Sequence, residues 1–162
     1  MPMPVHITMK GKKQGPIKGS CTQKGREDTM LVHSFTSEVS IPTDVFTGQA
    51  SGKRVHKPLT ITKEVDKASP QLYLAATTGE ILTEVGLKFY RINQLGKEEN
   101  YFTIMLTNAT IIDIKAWFPH TQDKATAHYG HLEDVSLTYQ KIQWRHEIDK
   151  TEAEDDWSVP NA

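Results

Sequence analysis

Apolar and polar residues alternate along most of the chain, in the pattern of β-strands. In the first such segment, residues 5–9, Val5, Ile7 and Met9 are separated by polar residues. Successive side chains of a strand point to opposite faces, so each segment of this kind is predicted to bury one face in a core. The same period of two recurs at residues 29–40, 56–63, 85–90, 102–106, 112–116 and 133–146.

One short segment follows the rules of a helix instead. Ser69 is predicted to be its N-cap and Pro70 its first residue, where the missing N–H costs nothing. Gly79 is placed to end the helix, and Leu72 and Ala75 form its apolar face. The elements together predict a mainly β protein, an antiparallel barrel or sandwich with one helix lying against it.

Two places in the second half depart from plain alternation. Residues 108–110 mark a bulge or bend between two apolar strand segments. In residues 133–146 the buried phase switches, because Val135 and Leu137 are odd-numbered whereas Ile142 and Trp144 are even-numbered. Such a switch predicts a bulge, or a strand that crosses between two environments.

Two segments lack a strand pattern altogether. Residues 41–57 form an unusually long loop for a compact domain, and such loops are functional or disordered. Residues 147–162 are acidic and without periodicity, so they are predicted to be a flexible tail. The predicted organisation is therefore one barrel domain over residues 1–146, with an extended loop at 41–57, followed by that tail.

Composition narrows the possible partners. The 162 residues carry 19 Lys and Arg against 20 Asp and Glu, a net charge of −1, so no strong field favours nucleic acid or an anionic membrane. The single cysteine, Cys21, cannot form an intramolecular disulfide. The longest apolar run, residues 72–76, is far short of the about 20 residues of a membrane span or the about 7–15 of a signal peptide core. We expect a soluble protein without membrane insertion, which only a dedicated machine would export.

The chain shows no catalytic or cofactor-binding constellation. Residues 48–54 have one spacer too few for a phosphate-binding loop, and Arg54 stands where Ser or Thr is needed. His128 and His131 have no third ligand at a familiar zinc spacing. We therefore expect no enzyme activity, metal or cofactor. A Ser–His–acid triad with dispersed members, as in a small secreted hydrolase, stays open because its residues need not be neighbours.

Residues 57–72, Lys-Pro-Leu-Thr-Ile-Thr-Lys-Glu-Val-Asp-Lys-Ala-Ser-Pro-Gln-Leu, resemble the central signature of the haemolysin-coregulated proteins (Hcp) of bacterial type VI secretion systems. Further segments resemble the family in the same order, so the likeness covers nearly the whole chain. They are residues 15–20 (Gly-Pro-Ile-Lys-Gly-Ser), 128–131 (His-Tyr-Gly-His), 135–142 (Val-Ser-Leu-Thr-Tyr-Gln-Lys-Ile) and 155–157 (Asp-Asp-Trp).

The resemblance implies a barrel of two sheets with one helix that assembles as a homohexameric ring. Rings of this family stack head to tail into a tube, wrapped by a contractile sheath and tipped by a VgrG spike, and the lumen carries and protects small effectors. The implied location is the bacterial cytoplasm, followed by secretion without a Sec signal peptide. About 16 residues follow the last predicted strand, too few for an additional toxin domain.

The resemblance also places Ser34 at the lumen wall in contact with cargo. Alternation over residues 29–40 puts Ser34 on the face of Val32, opposite the face of Leu31, His33 and Phe35. The other interpretation is a serine that merely faces a neighbouring strand.

The length of loop 41–57 predicts that it joins one ring to the next. Val45 and Phe46 would supply an apolar contact there. Lys53, Arg54 and Lys57 would meet acidic groups on the neighbouring ring. The alternative is a mobile surface loop with no partner.

A β-sandwich module that binds a ligand such as a carbohydrate is the competing function. It requires aromatic side chains grouped on one exposed face, and it would behave as a monomer in solution. Trp117, Trp144 and Trp157 are scattered along the sequence, which argues against it.

Overall fold

The computed structural model describes residues 3–158, which form eleven β-strands and one α-helix. The elements are β1 (Val5–Gly11), β2 (Gly15–Ile17), β3 (Met30–Thr36), β4 (Val39–Ser40), β5 (Val55–His56), β6 (Leu59–Glu64), α1 (Ser69–Thr78), β7 (Leu82–Ile92), β8 (Glu98–Trp117), β9 (Leu132–Thr138), β10 (Lys141–His146) and β11 (Thr151–Asp156).

One antiparallel sheet closes into a barrel. Its strand order is β11-β10-β8-β7-β1-β3-β6-β9, with β2 paired to β1, and β9 returns to pair with β8. The 20-residue β8 makes closure possible, because residues 102–107 pair with β10 and residues 110–117 pair with β9. The second sheet consists of β4 and β5 alone. The prediction of a mainly β antiparallel barrel with one helix is confirmed.

The two predicted irregularities lie where strands change partners. Asn108 has a φ of 51°, and β8 exchanges β10 for β9 on either side of it. The segment 133–146 divides into β9 and β10, with Val135 and Ile142 both fully buried. The switch of phase therefore reflects a chain that leaves one pairing environment and enters another.

The barrel interior is filled by aliphatic side chains from almost every strand. Ile7, Leu59, Leu87, Leu106 and Val135 are each 0% exposed. Burying one such side chain stabilises the fold by about 1.5–3 kcal/mol. The helix α1 packs against β8 and buries Leu72 and Ala75, as its apolar face predicts.

The start of the helix differs from its prediction. Ala68 is the N-cap and makes no side-chain capping bond, whereas Ser69 is the first helical residue and is buried. The Ser69 hydroxyl donates instead to the Glu133 Oε1 atom at 2.7 Å. Ser69 is thus engaged by a carboxylate from β9, which lies 64 positions away and gives no local signal. Gly79 ends the helix in the left-handed conformation, with a φ of 67°, as predicted.

A buried ionic network joins the helix to the barrel. Lys63 Nζ, on a side chain 1% exposed, donates to Glu133 Oε1 at 2.5 Å and to Asp66 Oδ1 at 3.0 Å. Glu133 is 0% exposed, and its Oε2 atom has no partner within residues 3–158. We call Lys63, Asp66, Ser69 and Glu133 the helix clasp. Three of these residues belong to the signature segment 57–72, so that part of the signature supports the fold.

The faces of β3 also differ from simple alternation. The register with β6 shifts between Val32 and Ser34. Because of this bulge, Val32 is buried and Phe35 packs against the core, while Ser34 points outward. The prediction that Val32 and Ser34 share a face is wrong, since the extra residue reverses the phase.

The acidic tail is not patternless. Residues 151–156 form β11, which pairs with β10 over its whole length. Glu154 of β11 forms an ion pair with Lys141 of β10, with 3.0 Å between Glu154 Oε2 and Lys141 Nζ. The segment that the sequence predicts to be a flexible tail without a pattern therefore contains a paired strand, in which Lys141 and Arg145 of β10 lie opposite Asp156 and Glu152. Residues 159–162 of the predicted tail lie outside the described residues.

Candidate assembly surface

The predicted long loop is an ordered β-hairpin. β4 and β5 pair at its base, and an isolated bridge joins Thr43 to Ala50 farther out. Every residue from 41 to 53 is exposed. We refer to residues 39–56 as the exposed hairpin. Backbone and side-chain groups therefore order a segment that contributes nothing to the core.

The tip of the exposed hairpin presents two apolar side chains. Asp44 Oδ1 accepts from the Phe46 N–H at 2.7 Å and from the Thr47 N–H at 3.1 Å, which fixes the turn. Gly48 has a φ of 72°, a conformation that favours glycine, and its N–H donates to the Asp44 carbonyl at 2.9 Å. Val45 and Phe46 are 93% and 97% exposed. An apolar pair held out on an ordered turn is suited to contact another molecule.

The three predicted basic contacts behave differently from one another. Lys53 is exposed. Lys57 pairs with Glu38 at 3.2 Å on the surface, a weak exposed ion pair. Arg54 turns inward, and its Nε donates to Asp155 Oδ2 at 2.6 Å with 13% of its side chain exposed. The carboxylate partner of Arg54 in the single chain is therefore Asp155, in place of the acidic group on the next ring that the sequence predicted.

A partly buried polar cluster that the sequence did not predict lies at the base of the exposed hairpin. His56 Nδ1 is 2.9 Å from the Tyr139 hydroxyl, and His56 Nε2 is 2.6 Å from Asp155 Oδ2. Trp157 Nε1 donates to the Tyr139 carbonyl at 2.5 Å. We call Arg54, His56, Tyr139, Asp155 and Trp157 the tail latch. The two ends of this cluster are about a hundred positions apart, so only the folded chain brings them together.

Electrostatics define the protonation of the tail latch. The hydrogen bond from Arg54 holds the pKa of Asp155 below its usual value, helped by the bond from His56 and opposed by partial burial. Burial, with the nearby charge of Asp155, raises the pKa of Tyr139 to about 12. Tyr139 therefore keeps its proton. Because the ionised Asp155 carboxylate can only accept, His56 Nε2 donates to it, and His56 Nδ1 forms the second hydrogen bond with the Tyr139 hydroxyl. Tyr139 is only 4% exposed, so the hydrogen bonds of the tail latch are placed to stabilise the structure and not to contact a substrate.

The ionised form of Asp155 should stabilise the fold in a pH-dependent manner. Since its folded pKa is depressed, the contribution is complete above the ordinary value of 3.8 and is lost as pH falls through the lower folded value. Asp155→Asn should lower the free energy of unfolding by about 1–2 kcal/mol at neutral pH. Urea titrations should show that this difference closes as the pH is lowered from about 4 towards about 2. A difference that stays constant over that range would contradict the assignment.

Ser34 lies on an outward face rich in hydroxyl groups. It is exposed and sits in register with Thr62 of β6. Hydrogen bonds link this face across strands: Thr60 Oγ1 lies 3.0 Å from Ser136 Oγ, and the Thr62 hydroxyl donates to Asp134 at 2.6 Å. We call this surface the hydroxyl face; its members are Ser34, Thr36, Thr60, Thr62, Ser136 and Thr138.

A cavity of about 450 Å³ adjoins the hydroxyl face. It is lined by His33, Ser34, Thr62, Glu64, Trp117, His128, Tyr129, Gly130 and Leu132. The Trp117 Nε1–H is buried without a hydrogen-bond partner in the described part of the chain. The three tryptophans do not form one aromatic platform, since Trp144 packs against the core and Trp157 lies against His56.

No helix within residues 3–158 is both long and apolar enough to cross a bilayer. No group of three or more His, Cys, Asp or Glu residues in the same range is placed to hold a metal ion.

Comparison with known proteins gives a consistent set of similarities. The family model described as "Type VI secretion system effector, Hcp" matches residues 6–146. The chain is 45% identical over 171 residues to the major exported protein of Pseudomonas aeruginosa, covering 100% of this chain and 99% of that protein. A crystal structure of an Hcp protein matches with a TM-score of 0.91 and 32% identity, covering 98% of this chain and 100% of that one. The secreted protein Hcp3 of Pseudomonas aeruginosa matches with a TM-score of 0.79 and 40% identity, covering 96% and 99%.

Proposed function

The chain belongs to the Hcp family of type VI secretion proteins, and from that premise we infer that six copies form the ring that is the repeating unit of the expelled tube. The family match over residues 6–146 supports the ring. The exposed hairpin, whose apolar tip covers none of its own core, is the observation that carries the stacking of rings into a tube. Mass-resolved chromatography tests the ring directly, since a hexamer and a monomer differ sixfold in mass.

The exposed hairpin supports stacking of one ring on the next. A contact between the tip of one copy and a different surface of another is heterologous, so it propagates along an axis without closing. Val45 and Phe46 supply the apolar part of this contact, and Lys53 is the exposed cation beside it. Lys57 adds to the contact only by giving up its surface pair with Glu38. Arg54 contributes to stacking only indirectly, because its hydrogen bonds to Asp155 and Asp156 hold the base of the hairpin.

The remaining partners follow from the place of the tube in the secretion machine. We propose that the tube is wrapped by a contractile sheath, tipped by a VgrG spike and loaded with effector proteins in the bacterial cytoplasm. Export then occurs by expulsion of the tube. The protein acts in this account through its surfaces, as a non-enzymatic subunit.

The hydroxyl face supports a role as the wall of the lumen. Short Ser and Thr side chains keep a channel wide, and hydroxyl groups can donate or accept hydrogen bonds with cargo of varied sequence. Ser34 stands at the edge of this face, beside the cavity lined by Trp117 and Tyr129. We therefore place cargo contact at Ser34.

Ser34→Gln should block cargo retention without disturbing assembly. The longer amide enters the space beside Ser34, and loss of about 1.4 kcal/mol of contact would lower retention and export of a bound effector about tenfold. Thr121→Gln, at an exposed loop position, is the matched control and should have no effect. Export is measured by immunoblot of culture supernatants, and retention by co-purification with the rings. Rings of normal size that keep and export cargo in the Ser34→Gln variant would remove Ser34 from the cargo site.

A further inference from the structure

We propose that the C-terminal strand is a working part of the stacking surface: the tail latch fixes the base of the exposed hairpin, so that the apolar tip is already positioned when it meets the next ring. This inference rests on the proposed stacking role of the hairpin. It assigns Asp155 and Trp157 as positioning residues for assembly, although neither lies on the hairpin.

The exposed hairpin has few bonds of its own to fix its orientation. β4 and β5 are two residues long, and a hairpin without further packing is marginally stable. Within residues 3–158, the side-chain hydrogen bonds that tie the hairpin to the distant tail and to β9 come from Arg54 and His56. Its orientation therefore depends on what those two residues bind.

Both residues bind one carboxylate. Asp155 Oδ2 accepts from Arg54 Nε at 2.6 Å and from His56 Nε2 at 2.6 Å. A second Arg54 nitrogen donates to the Asp156 carbonyl at 3.1 Å. β11 pairs with β10 over six residues, so this acceptor is attached firmly to the barrel. The barrel is thus connected to the hairpin base through the tail.

Aromatic side chains close the other side of the tail latch. The His56 ring lies 5.4 Å from the Tyr139 ring and 5.2 Å from the Trp157 ring. Trp157 is attached to the turn between β9 and β10 twice, by its Nε1–H to the Tyr139 carbonyl and by its N–H to the Gln140 carbonyl at 3.3 Å. His56 is consequently held between two rings and two hydrogen bonds.

The physical consequence is pre-organisation. A hairpin free to swing would lose conformational freedom each time it docked, and that loss weakens association. When the tail latch holds the base, this conformational freedom has already been lost during folding, so docking does not reduce it again. Weakening the tail latch should therefore reduce stacking, while rings should still form because the proposal assigns the hairpin tip to stacking alone.

The test compares Asp155→Asn and Trp157→Ala with the control Asp149→Asn, whose carboxylate is 77% exposed in the turn before β11. We expect rings of unchanged mass from all three proteins. Hydrogen exchange of residues 41–56 should be about tenfold faster in the two latch variants, and tubes seen by negative staining about tenfold fewer, which is the effect of about 1.4 kcal/mol per contact. Trp157→Phe, which keeps a ring but lacks the N–H, should lie between wild type and Trp157→Ala.

Exchanging the charges gives a second, independent readout. Arg54→Asp alone should lose tubes, and Arg54→Asp combined with Asp155→Arg should recover part of the loss, since the ion pair is restored in reverse. Normal tubes and normal exchange in Asp155→Asn and Trp157→Ala would overturn the inference. If a chain lacking the hairpin tip also forms tubes, the stacking proposal itself fails; if only that chain fails to stack, the hairpin acts without the tail latch.

Discussion

Replacing residues 45–54 with a short Gly-Ser turn should leave rings intact and abolish tube growth and export. The removed segment carries Val45 and Phe46, which contribute nothing to the barrel core and are almost fully exposed in the single chain. Burying each against a neighbouring ring is worth up to about 1.5–3 kcal/mol. Six such contacts act together between two rings, so their free-energy contributions add. Removing all six should lower the affinity of one ring for the next so far that stacking at micromolar concentration disappears.

Point variants separate the apolar tip from the rest of the hairpin. Val45→Ser combined with Phe46→Ser should also lose tubes, whereas Gln49→Ser, at an exposed position on the same hairpin, should keep them. Negative-stain images give tube length, and supernatant immunoblots give export. Long tubes and normal export from the Gly-Ser chain would show that another surface joins the rings.

Lys63→Met should destabilise the fold by about 3–5 kcal/mol, because it leaves the Glu133 carboxylate buried without its cation. Glu133 is 0% exposed, and one of its oxygen atoms already lacks a partner in the described structure. The remaining Ser69 hydroxyl, 2.7 Å from Glu133, cannot compensate a full charge. The loss is measured by urea unfolding at a fixed protein concentration, since assembly also contributes to apparent stability.

Two further variants make that measurement specific to the helix clasp. Lys67→Met removes an exposed ion pair with Asp28 and should cost less than about 1 kcal/mol. Lys63→Met combined with Glu133→Leu removes both charges and should recover much of the stability lost in the single variant. A single Lys63→Met variant within about 1 kcal/mol of wild type would contradict the assignment of a buried, essential ion pair.

Much of the fold is predictable because its determinants are local. The alternation of Val5, Ile7 and Met9, the Pro70 and Gly79 boundaries of the helix, and the change of phase between Leu137 and Ile142 each depend on neighbouring residues. Local patterns are also sufficient to mark residues 41–57 as an unusual segment. The exposure of Val45 and Phe46 follows from that placement.

The parts that sequence reasoning missed depend on partners far along the chain. Serine is a residue type favoured at N-caps, yet the Ser69 hydroxyl donates its hydrogen bond to Glu133. Arg54 looks like a free surface cation in the sequence, yet Asp155 holds it within the chain. Such pairings cannot be recognised until folding has brought Glu133 of β9 to the start of the helix and the tail beside the hairpin.

The acidic tail illustrates the same limit in a strand. β11 has four acidic residues in its six positions, and acidic residues are uncommon in strands. Its pairing depends on β10, where Lys141 offers an ion pair to Glu154, and on Trp157, which anchors the end of the strand. The acidic composition of residues 151–156 therefore predicted flexibility, whereas pairing with β10 makes them a strand.

The state of the purified protein in solution tests the central claim most directly. Mass-resolved size-exclusion chromatography with negative-stain imaging, at micromolar concentration in moderate salt, should show rings with a central hole. Six chains of 18.3 kDa give a particle of about 110 kDa. A dominant species of 18.3 kDa without ring-shaped particles would contradict the account.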